Sequence, residues 1–552
     1  MMPDVLFIGH HNQNMDYKTI RNIKSPRDIK GMSPAQLKEV AAEIREATVY
    51  RCSNYAGHVG PNLGDAEAVI ALHYVFDAPE DKIVFDVSHQ DFPHKILTGR
   101  ASGFIDKSCF DSIGEYTDPR ESPEYDIFYA GHTSPSISLC CGLAKARELA
   151  GDSYNIVAFI GDGSLSGGPA LEGLNTAGAL DANFICIVND NQMAIAETHG
   201  SIYDNLRLLR ETNGTAELNL FKAFGFDYLY VAEGNNIEAL IEAFSKVKDT
   251  TRPTVVHINT QKSEGYAPAE RDREKFHWCL PFDIATGEPK HNDTSESYNR
   301  DLRDFIMERH AADPRMLIIS SATPDSFCLG PRERELLGNH YIDVGIAEQT
   351  AVSVMAGAAR NGAKAVYAVI SSFLQRAYDQ LLEDWAMNPG NSLMLVDCTG
   401  VCGISDLTHL GFWDIPMITS ISDIVYLAPA NAEEFKAMLD WGYSQDRFKV
   451  ALRIPSYSYD HADYDVDTDY SDINRYKVTH RGSTVATIED GSLEGGFGQK
   501  NRGECSATFS PAFYDIIDDY KFWAAASISR YSSGLSVSCR ASSSSLLATT
   551  SF

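Results

Sequence analysis

Positive charge is scarce in this chain: 47 lysines and arginines stand against 76 aspartates and glutamates in 552 residues, a formal net charge of −29. Such a balance repels phosphate backbones and anionic lipid, so neither nucleic acid nor a membrane surface is an expected partner. An anionic ligand would need a dedicated site made of a metal, helix N-termini or a few cations. Long apolar runs are missing too, since none reaches the roughly 18 residues of a spanning helix. The opening MMPDVLFIGHHNQNMDY lacks the basic region and the apolar length of a secretory leader. Cysteine is sparse, at 11 residues, and Cys140, Cys141 and Cys186 fall inside apolar runs, as thiols of a reducing compartment do. The spacing Cys398-x3-Cys402 matches no zinc pattern. These absences together predict a cytoplasmic protein.

What is present is a core-forming composition, 44% apolar and 22% charged, in a chain long enough for two or three domains. Residues 1–290 alternate short β-branched runs with amphipathic stretches, the α/β pattern of a parallel sheet. Strands are predicted at 82–87, 155–161, 183–189 and 254–259, and helices at 33–50 and 236–248. The polar stretch 283–300 reads as a linker. A second α/β unit spans 301–460, with strands predicted at 315–320, 364–370 and 392–397. In the acidic stretch 460–472, Asp463, Asp465 and Asp467 have calcium-loop spacing, but Thr468 stands where glycine is needed and Asn474 where glutamate is needed. It reads instead as a solvated linker. Residues 473–552 open with YKVTHRGSTVATI, predicted as the first strand of a third domain. They close on a tail in which 11 of the 26 residues from Ser527 are serine, too little apolar pattern for a core.

Two short motifs carry the chemistry. The run 155–160 ends in Gly161-Asp162-Gly163, and the run 184–188 ends in Asn189-Asp190-Asn191. Each follows a buried strand, at the C-terminal edge where an open parallel sheet places its ligands. Either alone reads as a turn or a helix cap. Together, Asp162 and Asn191 can share one hard cation such as Mg2+, which takes oxygen ligands, few of them from protein and the rest from phosphate and water.

The pair resembles the diphosphate-binding motif of thiamine-diphosphate enzymes. The phrases at 57–100, GHTSPSIS (131–138), GYAPAERDREKFH (265–277), DVGIAEQ (343–349) and FLQRAYDQ (373–380) are similar to the 1-deoxy-D-xylulose-5-phosphate synthase family over roughly residues 17–490. The resemblance implies two parallel-sheet thiamine-diphosphate-binding domains, the diphosphate and metal domain at 1–290 and the pyrimidine domain at 301–460, with a remnant of a third α/β domain after them. It implies Mg2+ on Asp162, Asn191 and Met193, and the cofactor on His89, Gly131, His132, Thr133, Gly163, Ser164, Asn191, Tyr266, Glu348 and Phe373. Glu348 would be the acid bonded to N1′ of the aminopyrimidine. A buried carboxyl suits that role because burial raises its pKa. His58, His89, His277 and His409 would handle protons. Gly131 to Thr133 lead through Pro135 into a helix whose N-terminus could receive phosphate oxygens. The implied substrates are pyruvate and glyceraldehyde 3-phosphate, and the implied assembly is a homodimer.

The chain departs from the family at the acceptor end. Ile370 replaces a tyrosine, Cys398 and Ser456 replace arginines, and Ser405 replaces an acidic residue. Each charge-assisted phosphate contact contributes about 1.5–3 kcal/mol, so an altered aldehyde acceptor is the alternative expectation. Much of the third domain's middle is missing relative to the family, which leaves an inactive cofactor-binding homologue as a further alternative.

Overall fold

The apolar runs of the first half do become neighbouring strands. The structure, a computed structural model, describes residues 17–290, 296–400, 408–411, 413–454, 459–471, 475–480, 483–489 and 492–495. Its first sheet comprises β1 (Lys82–Phe85), β2 (Ile156–Gly161), β3 (Phe184–Asp190), β4 (Asp227–Val231) and β5 (Pro253–Asn259), in the order β1-β2-β3-β5-β4. All four pairings are parallel. β2 and β3 read as continuous apolar runs because helices cover both of their faces. The register sets Gly161 beside Asn189, so the residues just beyond the two strand ends lie about one strand spacing apart.

The helix Pro34–Tyr55 starts on a capping box, with the Ser33 N–H donating to Gln36 Oε1 at 2.9 Å and Pro34 in its first turn. It runs five residues past its predicted end and delivers Gly57 and His58 to the C-terminal edge of the sheet.

The second sheet comprises β6 (Met316–Ser320), β7 (Tyr341–Asp343), β8 (Lys364–Ile370), β9 (Leu393–Asp397), β10 (Ile424–Leu427) and β11 (Lys449–Arg453), ordered β10-β11-β9-β8-β6-β7. The pairs β10/β11, β11/β9, β9/β8 and β8/β6 are parallel. Its core packs Leu302 and Ile306 of the helix Tyr298–Ala312 and Phe435 and Leu439 of the helix Ala432–Ser444 against Ile318, Val366 and Leu395. The chain divides into two units. The first takes Met1–Thr294, Asp343–Ala347 and Ser405–Thr408, and the second takes the remainder.

Three expectations need correction. The stretch read as the single opening strand of a third α/β domain is two strands, β12 (Arg475–His480) and β13 (Ser483–Glu489). They pair antiparallel, and β14 (Ser492–Gly495) adds to β13. The described part of that segment is therefore an antiparallel sheet, and the serine-rich tail lies outside the described residues. The acidic stretch after residue 459 is no free linker, because the helix Ala432–Ser444 offers it partners. The Ala462 N–H donates to Glu433 Oε2 at 2.7 Å, and Trp441 Nε1 donates to Asp469 at 3.2 Å. His461 lies 2.8 Å from Glu433 and 3.0 Å from Glu296. The third correction concerns the helix after Pro135 and belongs with the site.

Two buried carboxyls of the first unit, Asp65 and Asp91, have no hydrogen bond to either oxygen. Burial pushes both well above the ordinary carboxyl range, and the charge of Asp91 adds to the effect on Asp65. With folded-state values above the unfolded ones, the native protein holds extra protons over that window, and stability falls as pH rises through it. Asp65→Val is therefore expected to raise the melting temperature more at pH 8 than at pH 5, by about 1–3 kcal/mol of stability at the higher pH. Thermal unfolding at the two pH values checks this, and equal shifts would refute it.

Candidate active site

At the C-terminal edge of the first sheet, the three residues that close β3 have different fates. The Asn189 side chain donates to Gln90 Oε1 at 3.3 Å and accepts from the Thr260 hydroxyl. Asp190 pairs with Arg210 and with His257 Nε2, the latter at 2.8 Å. These partners bring its carboxyl below the ordinary value against the opposing effect of burial. Asn191 makes only a local turn, its Oδ1 accepting the Met193 N–H at 3.2 Å, and it stays half-buried. Two of the three polar groups are thus tied to neighbouring segments, and the third makes only this local contact.

Asp162 is the counterpart across from them. It is 1% exposed, and neither carboxylate oxygen closes a hydrogen bond. Burial pushes it well above the ordinary range, helped by the charge of Asp190 and opposed by the facing Asn191 N–H and by Lys262. A buried carboxylate without partners costs several kcal/mol unless a cation compensates it. Among the described residues, no group of three or more His, Cys, Asp or Glu is placed to hold a metal. One carboxylate and one amide oxygen instead suit Mg2+ that completes its shell with phosphate and water. A side chain at Gly163 would be crowded, since a Cβ there would meet Ala194 Cα and Cβ at 3.0 Å. The Ser164 carbonyl accepts from the Ser134 hydroxyl at 2.9 Å, and Met193 sits half-buried in the loop after Asn191.

Lys262, absent from the sequence expectations, belongs to this group. It is 1% exposed and donates through Nζ to the Ala194 carbonyl at 2.7 Å. Burial brings its ammonium down to about 7, with Asp162 and Glu274 opposing. The only sequence signal was a lysine three residues past the end of a buried strand, and its burial depends on loops from elsewhere in the chain.

Gly131, His132 and Thr133 form the loop ahead of the helix Ser136–Ala150, with the last two half-buried. The expectation that this helix end takes phosphate is corrected. The Ser134 and Ser136 N–H groups donate to the Asp86 carboxylate at 2.7 and 3.0 Å. An anion of the protein already answers the helix N-terminus. Tyr266 is 1% exposed, its hydroxyl donates to the Ile284 carbonyl at 2.8 Å, and its ring packs on Phe276 and Phe282.

Three of the expected histidines do come together. The ring centroids of His58 and His89 are 5.2 Å apart, His58 and His277 5.4 Å, and His89 and His277 5.2 Å. Desolvation holds the His277 imidazole well below its usual value, with Lys262 and the other two histidines adding to it. Asn62, fully buried, donates through Nδ2 to the carbonyls of His58 at 2.9 Å and His89 at 2.8 Å, and accepts the Phe92 N–H at 2.9 Å. One amide thus ties two histidine-bearing segments together.

In the second unit, Glu348 is the first residue of the helix Glu348–Arg360 and is 1% exposed. Its Oε2 makes no hydrogen bond, and Arg376 Nη1 lies 3.6 Å from it. Burial raises its carboxyl, and Arg376 only partly offsets this. Phe373, on the short helix Ser371–Leu374, meets the His409 ring edge-on at 5.3 Å. Of the four departing acceptor positions, Ile370 caps that short helix and Cys398 follows β9 with φ of 49°. Ser405 and Ser456 lie outside the described residues.

The chain is similar to known proteins across both units. A family model described as 1-deoxy-D-xylulose-5-phosphate synthase matches residues 20–218 and 210–260. One described as transketolase, pyrimidine binding domain, matches residues 300–460. A 1-deoxy-D-xylulose-5-phosphate synthase of Desulforudis audaxviator is 37% identical over 502 residues, covering 84% of this chain and 78% of that protein. Another, of Clostridium acetobutylicum, is 35% identical over 512 residues, covering 86% and 82%.

Proposed function

Because the chain belongs to the 1-deoxy-D-xylulose-5-phosphate synthase family, we propose that it condenses pyruvate with glyceraldehyde 3-phosphate. The reaction releases CO2 and forms 1-deoxy-D-xylulose 5-phosphate, with thiamine diphosphate held through Mg2+. The observation that carries the reading is Asp162, a buried carboxylate that closes no hydrogen bond at either oxygen, beside the end of β3.

Asp162, Asn191 and the backbone of Met193 would hold the metal, and Gly163, Ser164 and Lys262 line the approach of the diphosphate. When bound, thiamine diphosphate supplies a nucleophilic carbon and an electron sink for loss of CO2. Glu348 holds a proton at N1′ of its pyrimidine, a task that suits a carboxyl whose proton affinity burial has raised. Phe373 would pack its ring against the aminopyrimidine. His58, His89 and His277 take up and return protons as the substrate carboxylate and carbonyl change charge, and His409 does so beside Phe373. His132 and Thr133, in the loop before Ser136, would help hold the cofactor. The same reading makes the protein cytoplasmic and homodimeric. No helix among the described residues is long and apolar enough to cross a membrane.

The test is product formation from pyruvate with either glyceraldehyde 3-phosphate or neutral glyceraldehyde, in the presence of thiamine diphosphate and Mg2+. The phosphorylated aldehyde is expected to be the better substrate by kcat/KM, by less than two powers of ten given Cys398 and Ser456 in place of arginines. A preference for the neutral aldehyde would move the chain to the altered-acceptor reading. Failure to release CO2 from pyruvate under any condition would refute carboligation.

A further inference from the structure

A carboxylate that the chemistry above leaves unused touches the histidine cluster. Glu115 Oε2 lies 3.0 Å from His58 Nδ1. Trp278 Nε1 donates to the same carboxylate, at 3.2 Å to one oxygen and 3.4 Å to the other. The Glu115 and His58 side chains are only 11% and 10% exposed, so solvent screens the pair weakly. The approach is close but off the line of a good ring N–H bond, a geometry that substrate binding commonly tightens.

The surrounding backbone is built for this pair. Gly57 has φ of +139°, and a Cβ there would meet Glu115 Oε1 at 3.2 Å, so a side chain at position 57 would crowd the carboxylate. Gly57 and Cys279 exchange two backbone hydrogen bonds, each 3.1 Å, and the Gly60 N–H donates to the Phe276 carbonyl at 2.7 Å. The segments carrying His58, His277 and Trp278 are thereby locked in register. Burial works to raise the Glu115 carboxyl, but His58 and the Trp278 N–H outweigh it and bring it below the ordinary value.

We infer that Glu115 is a positioning residue for His58: its carboxylate takes the Nδ1–H and leaves Nε2 as the atom presented to His89, His277 and the substrate, while Trp278 keeps the carboxylate turned inward. The inference deepens the carboligase reading and rests on it for the role of His58. The titratable groups facing the pair are His89, His277, Tyr116, Cys52 and Cys279, with the Arg51 guanidinium acting on Glu115 from farther off.

Two measurements on the full-length protein test it. In Glu115→Gln, kcat is expected to fall by about tenfold with KM little changed, and Glu115→Asp is expected to restore part of the loss. Independently of turnover, the emission of Trp278, assigned by difference from Trp278→Phe, is expected to change with pH in the wild type. That change should disappear in both Glu115→Gln and His58→Asn. An unchanged kcat in Glu115→Gln, or Trp278 emission indifferent to His58→Asn, would overturn the inference. A wild type that makes no product defeats the carboligase reading instead, and the emission measurement still decides whether Glu115 and His58 are coupled.

Discussion

Glu348→Gln is expected to lower kcat by about 10²–10⁴-fold while thiamine diphosphate still binds. Glutamine keeps the shape of the side chain but cannot share a proton with a ring nitrogen. The position makes this loss hard to replace. Glu348 is buried, its Oε2 has no hydrogen bond, and Arg376 stands 3.6 Å away, a cation that cannot accept a proton. Its place in the first turn of the helix favours negative charge by about 0.3–1 kcal/mol, too little to cancel the cost of burial. The same substitution removes a charge from a dry environment, so the cofactor-free protein should not lose stability. Steady-state turnover, paired with a thermal shift on adding thiamine diphosphate, separates the two effects. Near-normal turnover in the glutamine variant would show that another group holds the proton.

Asp162→Asn should produce effects of opposite sign in the free and the loaded protein. In the free protein it relieves an uncompensated buried carboxylate, and the melting temperature should rise. In the presence of Mg2+ and thiamine diphosphate it removes the single carboxylate available to the metal, and activity should fall by at least about 100-fold, the scale of a lost charge-assisted ligand. A ligand present at 100 times its dissociation constant stabilises a protein by about 2.7 kcal/mol. That increment, visible as a ligand-induced thermal shift in the wild type, should shrink or vanish in the variant. A variant that loses stability without ligand and keeps its ligand-induced shift would assign Asp162 a structural role.

Much of the first sheet was legible because β2 and β3 are buried on both faces and so read as unbroken apolar runs. β4 (DYLYV) and β10 (IVYL) went unread: both are short, half-exposed edge strands, and the inner strand β11, only five residues long, went unread with them. Asp162 and Asn191 were legible because strand ends position them directly. The role of Asp86 was not, since it needed the loop 131–135 to fold back over the end of β1 before its carboxylate could reach the Ser134 and Ser136 N–H groups. Lys262 and Glu115 carry charges that composition assigns to the surface, and only tertiary packing revealed them as interior.

The backbone exchange between Gly57 and Cys279 joins positions 222 residues apart in the chain. Closing so long a loop carries a large entropic penalty before any contact repays it. On the ribosome, where domains form as their residues emerge, the imidazole trio cannot assemble until the last of this half has left the exit tunnel. Earlier folding events can complete the sheet and its flanking helices, but the cluster of His58, His89 and His277 is among the final parts of that half to form.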